Sequence, residues 1–213
     1  MEELTEFTQA THADAGIDAA RHYLIRDGYL FIRDFLPEEE VAEVETCIRG
    51  AVAATPGWIA EDSGPSGWKA GPSVANNLDE EPGFLAMYRR IQSLQKFHEF
   101  AHHPRILSIV GRLLQDEVFA HSNHVARVVG PWPKIESSKI HQDWRPIQGA
   151  ADTLTVWIPL ANIPVVFGGL RILEGSHRCG VLPVESSSHP AGVSIPVDDC
   201  DDQWRTASYR RGD

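Results

Sequence analysis

Cysteine is scarce: Cys47, Cys179 and Cys200 are the only three in 213 residues, widely spaced and without a C-x-x-C pair. That excludes a dense disulfide framework and a cysteine-rich zinc site, and it points to a reducing, cytoplasmic compartment. Basic residues are also few. Lys and Arg total 19 against 30 Asp and Glu, a net charge of −11, so no nucleic-acid partner is expected. No apolar run approaches the roughly 20 residues of a membrane helix. The opening Met1-Glu2-Glu3 is acidic, unlike a secretory signal, and no membrane association is expected. What is present is a globular balance, 42% hydrophobic and 23% charged with 17 Gly and 14 Pro. That suffices for a single domain over 1–213 with a core of its own.

The pattern divides that domain into a mainly helical part, 1–115, and a β-prone part, 116–213. Ala13 to Asp27 is amphipathic and closes on Gly28, a helix stop. Tyr29 to Ile32 predicts a short strand. Pro37 followed by Glu38, Glu39 and Glu40 predicts a helix start, because proline suits the first turn and carboxylates suit the positive end of the helix dipole. Val41, Val44, Ile48 and Ala51 then recur at helical spacing. Glycines and prolines break up 55–83, a long loop whose Trp58, Trp68 and Lys69 suggest a lid. Helix is expected again over 84–100 and from Pro104. Beyond Val118 the period becomes two. Residues 118–129 read as β-prone, and in 153–160 Leu154, Val156, Ile158 and Leu160 alternate with Thr153, Thr155, Trp157 and Pro159. Turns at Gly168-Gly169 and Glu174-Gly175-Ser176 bracket a strand at Leu170–Leu173, and Arg205 to Arg210 is a last candidate strand. The class is α+β, with an antiparallel sandwich or barrel in the second part. The acidic run Asp198-Asp199-Cys200-Asp201-Asp202 reads as a solvated loop.

Two metal-site patterns compete. His98-Glu99-Phe100-Ala101-His102 matches H-E-x-x-H, in which two imidazoles on one helix face hold zinc and the Glu serves as base. Pro104 ends that helix at the second His, Arg105 stands where the extended motif needs Gly, and no third ligand is evident. The second pattern is His141-Gln142-Asp143. On a strand, residues i and i+2 share a face, so one imidazole and one carboxylate reach the same ion, two parts of a 2-His-1-carboxylate site. H-x-D alone is weak, since His12-Ala13-Asp14 matches it in a polar helical stretch.

The surrounding residues narrow the choice. H-Q-D-W at 141–144, T-V-W-I-P-L at 155–160 and G-G-L-R-I-L-E-G-S-H-R at 168–178 occur in an order that resembles the phytanoyl-CoA dioxygenase family of Fe(II)- and 2-oxoglutarate-dependent oxygenases. R-D-G-Y-L-F-I-R-D-F-L at 26–36 and H-P-R-I-L at 103–107 also resemble it. The resemblance implies a double-stranded β-helix (a cupin-like jelly roll) flanked by N-terminal helices. It implies His141 and Asp143 as iron ligands, with Trp157, Thr155, Arg127 and the Trp144 position around the 2-oxoglutarate pocket. His177 is then structural. The reaction implied consumes O2 and 2-oxoglutarate, releases succinate and CO2, and hydroxylates a C–H bond of a small molecule. A carboxylate at Asp143 favours hydroxylation, because related halogenases carry a small residue there. The family places its second iron His after a G-D pair, and an Arg for the distal 2-oxoglutarate carboxylate beyond it. Arg211-Gly212-Asp213 looks like that pair, so the distal His, the Arg and the last jelly-roll strands are expected outside these 213 residues, or the site is completed by His177 or His189. The integrin-type tripeptide Arg211-Gly212-Asp213 reads as accidental. A non-catalytic jelly-roll binding protein and a zinc peptidase through His98, Glu99 and His102 are the alternatives.

Overall fold

Helix α1, Ile17–Asp27, stops as the sequence predicts: Gly28 turns left-handed at φ 83° and returns its N–H to the Leu24 carbonyl. The structure, a computed structural model, describes residues 5–7, 11–12, 16–60, 82–128, 138–186, 193–195 and 203–213. Two short strands precede α1, β1 at Thr5–Glu6 and β2 at Thr11–His12. The strand expected at 29–32 is reduced to β3, Ile32–Arg33, which pairs parallel with β2. Helix α1 begins later than expected, and residues 13–15 lie outside the described set.

Helix α2, Glu38–Ala53, starts where Pro37 and three glutamates direct it. Its apolar positions Val41, Val44, Ile48, Ala51 and Val52 are buried, so the helical period becomes the core face. The helix expected over 84–100 is two helices, α3 at Pro82–Gln92 and α4 at Gln95–Phe100. Between them the Ser93 hydroxyl bonds back to the Arg90 carbonyl and Leu94 is extended. A serine that competes for the helix's own acceptors explains the break. Helix α5, Pro104–Leu114, takes Pro104 in its first turn, where the missing N–H costs nothing, and His103 caps it by accepting from the Arg105 N–H.

These helices close around two apolar clusters. The first contains Val44, Ile48, Ala51, Val52, Trp58, Met87 and Ile91; the second contains Leu36, Val41 and Ile106. Each fully buried Val or Ile contributes about 1.5–3 kcal/mol. Trp58 corrects the lid expectation for this loop residue: it is 2% exposed and part of the core. Trp68 and Lys69 lie outside the described residues.

The second part departs furthest from expectation. Neither 118–128 nor 153–160 forms a strand, and the α+β class is carried by strands of two or three residues. Nor does the alternation in 153–160 separate two faces: Ile158 and Leu160 pack on the helical clusters, but Val156 of the same set is exposed and Pro159 of the opposite set is buried. A ladder also needs a partner edge. Here the described backbone links are few: Gly212 donates to the Pro159 carbonyl, and Ile163 bridges Tyr209. The expected strand at 170–173 is β4, Ile172–Leu173. Strands β5 at Glu185–Ser186 and β6 at Val193–Ser194 pair antiparallel. The expected strand at 205–210 is β7, Trp204–Thr206, flanked by β1 in parallel and β4 in antiparallel register.

The two parts meet at specific links. Glu174 accepts from the Tyr29 hydroxyl and from Arg205, each at 3.0 Å. The Asp213 side chain is fully buried, with Arg33 at 2.5 Å, and it also accepts the Asp34 and Arg210 N–H groups. Gly212 lies left-handed at φ 83°, and a Cβ there falls 2.7 Å from the Leu36 carbonyl oxygen. Gly212 and Asp213 are therefore interior, with Arg211 only partly covered.

Candidate functional site

His141 and Asp143 come together, but not on a strand. Residues 138–143 are irregular, and Asp143 has helical dihedrals as it leads into a four-residue turn of helix, α6, at Trp144–Ile147. This corrects the strand expectation while keeping its outcome, since two side chains spaced i and i+2 still converge. His141 Nε2 lies 3.2 Å from Asp143 Oδ1. The physical reason lies in the residue between them. The Gln142 amide donates to the Gly180 carbonyl at 2.8 Å, and its oxygen accepts the Leu182 N–H at 2.9 Å. Gln142 therefore pins the turn to 180–182 and leaves its two neighbours together. Arg145 adds a bond to the Leu182 carbonyl, and the Trp144 indole N–H donates to the Ala150 carbonyl. Gln142 and Arg145 hold the candidate turn in place, and sequence reasoning missed both; the residue between the two candidate ligands was the available signal.

Charge and tautomer are set by the same neighbours. His141 Nδ1 donates to the Lys139 carbonyl at 2.6 Å, which turns Nε2 toward Asp143. The bond to Asp143 raises the His141 pKa above the ordinary imidazole value, against the opposing effects of burial and Arg127. Asp143 is held below the usual carboxylate range, first by His141, then by a hydrogen bond from Thr155 and by the nearby Arg127. Both side chains are a little over two-fifths exposed, so a ligand can reach them.

The other predicted residues divide. Thr155 and Arg127 join the pair through Asp143. The Arg127 guanidinium also bonds the Ser138 hydroxyl, which tethers it to the same loop. Trp157 packs on Tyr209, with ring centroids 4.7 Å apart. Tyr209 in turn donates to the Leu170 carbonyl, and burial pushes its phenol up to about 12. His177 lies elsewhere, on the Ile25 carbonyl at 2.9 Å. That bond ties it to α1 instead of closing its own turn. His189 and the acidic run 198–202 are outside the described residues.

The H-E-x-x-H histidines are engaged differently. His98 spends one ring nitrogen on the Gln92 carbonyl at 2.8 Å and the other on His124 at 2.9 Å. His102 Nδ1 bonds the His98 carbonyl, and Glu99 accepts from Gln95. Among the described residues, no group of three or more His, Cys, Asp or Glu side chains is arranged to hold a metal ion. Also among them, no helix is long and apolar enough to cross a membrane.

No curated protein matches the chain. A family model, phytanoyl-CoA dioxygenase, matches residues 24–213, a span that includes the His141–Asp143 turn, Thr155, Trp157 and the 168–178 segment. That family has a cupin-type jelly-roll fold and oxygenase activity of the Fe(II)- and 2-oxoglutarate-dependent type. With the match covering nearly the whole sequence, the chain belongs to the phytanoyl-CoA dioxygenase family.

Proposed function

We propose that this chain carries two iron ligands of an Fe(II)- and 2-oxoglutarate-dependent dioxygenase, built as one domain around a jelly-roll core, that hydroxylates a C–H bond of a small molecule. The observation that carries the reading is the convergence of His141 Nε2 and Asp143 Oδ1 at 3.2 Å, with the other His141 nitrogen already committed to a carbonyl. Two donors bonded at about 2.1 Å to one metal in adjacent positions lie about 3 Å apart, so the spacing and the donor types fit that ion. Iron with 2-oxoglutarate supplies the oxidising chemistry, with succinate and CO2 as co-products.

The chain's own residues bind and orient. His141 gives up the proton it shares with Asp143 as the site loads, so acid opposes loading. The Lys139 carbonyl fixes the imidazole tautomer, as outer-shell partners of metal ligands do, and Thr155 steadies the carboxylate. Arg127 supplies positive charge beside the pair and favours the approach of an anionic co-substrate. Trp157 walls the pocket. The third ligand and the Arg for the distal carboxylate are assigned to residues outside the described set.

The test is an anaerobic titration with Fe(II) and 2-oxoglutarate, followed by the visible band of the chelate, in the 213-residue chain and in a form extended through its coding sequence. A saturable band that is lost in Asp143→Ala is expected in the extended form. Silence in both forms overturns the proposal.

A further inference from the structure

His124 lies in a β-prone stretch that also holds His121, yet it packs against the H-E-x-x-H segment, 26 positions from His98. Its Nδ1 faces His98 Nδ1 at 2.9 Å. The other His98 nitrogen meets the Gln92 carbonyl, which accepts only, so that nitrogen must carry a hydrogen. In the neutral pair His98 Nδ1 is therefore the acceptor and His124 Nδ1 the donor. His124 Nε2 is buried and has no hydrogen-bond partner among the described residues. The Gln92 side chain completes the join by donating to the His124 carbonyl at 2.8 Å.

We propose that His98 and His124 form an acid-sensitive clasp that holds segment 118–128 on α3 and α4 near neutral pH and releases it on acidification. The argument does not depend on which ring takes the first proton. With an extra proton on either ring, both nitrogens of one imidazole and at least one of the other carry hydrogen. Because one hydrogen bridges the two Nδ1 atoms and another stays on His98 Nε2, the added one must be on His124 Nε2, which is buried without an acceptor among the described residues. A second proton sets two N–H groups face to face and breaks the bond.

The surroundings reinforce the direction. The Phe97 and His124 rings meet edge to face, and the titratable groups that act on His124 are His98 from α4, His102 just beyond it and His121 from its own segment. On α4, Glu99 is occupied by Gln95. Burial first, then His98 and His102, push the His124 pKa below the ordinary value, against a hydrogen bond to the His121 backbone that raises it. A lowered pKa means the folded state binds fewer protons than the unfolded one. The clasp's contribution is thus full above the ordinary imidazole range and is lost as pH falls through the lowered value. Three positions on, Arg127 acts on Asp143, so the clasp also governs how firmly that cation is presented. The clasp itself does not rest on the oxygenase reading.

Backbone hydrogen exchange, resolved by segment and corrected for the intrinsic rate, tests this in the whole chain at pH 7.5 and 5.5. Protection in 118–128 is expected to fall about tenfold at the lower pH while α2 keeps its own, the effect of one proton over one pH unit. His124→Phe and His98→Gln are both expected to remove that pH dependence. Unchanged protection in 118–128, an equal loss in α2, or a pH response that survives in either variant overturns the proposal.

Discussion

The helical region and the 138–186 region are held in place by different physics. In the first, Val41, Val44, Val52, Met87 and Ile91 are almost wholly removed from water. In the second, fully buried apolar side chains are rare, Pro159 being one, and the chain is tied by side-chain bonds to backbone carbonyls. Apolar burial is non-directional and gives bulk stability. Hydrogen bonds contribute less each but fix orientation, which is what converging donors need. The candidate site therefore draws its geometry from one kind of interaction and its stability from the other.

Ile91→Ala probes the contrast most strongly. Ile91 is fully buried between α2 and α3, and its truncation is expected to cost about 3 kcal/mol in urea unfolding. A cost below about 1 kcal/mol would remove the basis for calling this region the stability reservoir. Gly28→Ala should come next. A Cβ at that left-handed position collides with the His177 ring, which bonds the neighbouring Ile25 carbonyl. A loss of about 2 kcal/mol is expected. Pairing it with His177→Ala in a double-mutant cycle should recover part of that loss, which would sharpen the view that the regions meet at discrete points.

Gln142→Ala is expected to cost about 1 kcal/mol, read as faster exchange in 138–148 and 180–182 with little change in α2. Equal loosening of α2 would break the comparison. The smallest effect concerns titration alone. Asp143 raises the His141 pKa, so the attraction between them is full below the ordinary imidazole range while Asp143 stays ionised, and fades as pH rises through that raised value. Asp143→Asn should move the His141 ring titration, followed by NMR, to lower pH. Because both side chains are partly exposed, little change in global stability should accompany it. An unmoved titration would separate the two side chains in solution.

What the sequence revealed follows the same division. Gly28, the Pro37 glutamate start, the α2 period and Pro104 are local signals, and each sets a boundary or a face without help from distant residues. The His141–Asp143 pair was legible from spacing, and its family from the order of segments. Long-range facts were not. Alternation in 153–160 predicts a two-faced strand but cannot supply a partner edge, and without one Val156 is exposed while Pro159 is buried. Trp58 sits in a Gly- and Pro-rich stretch that reads as surface, and its apolar area is claimed by the core. His124 has no local pattern at all, since its meaning comes from His98 across the fold.

The Arg33–Asp213 ion pair joins residues separated by 180 positions, and β1 pairs with β7 across a similar span. Such contacts form late, because closing a long loop costs entropy before the contact repays it. During synthesis the helices up to α5 can gather on near-neighbour contacts while Asp213 has yet to be made. Asp213 then works as a long-range fastener: the stretch at Arg33 and Asp34 is locked only once a residue 180 positions away has reached it.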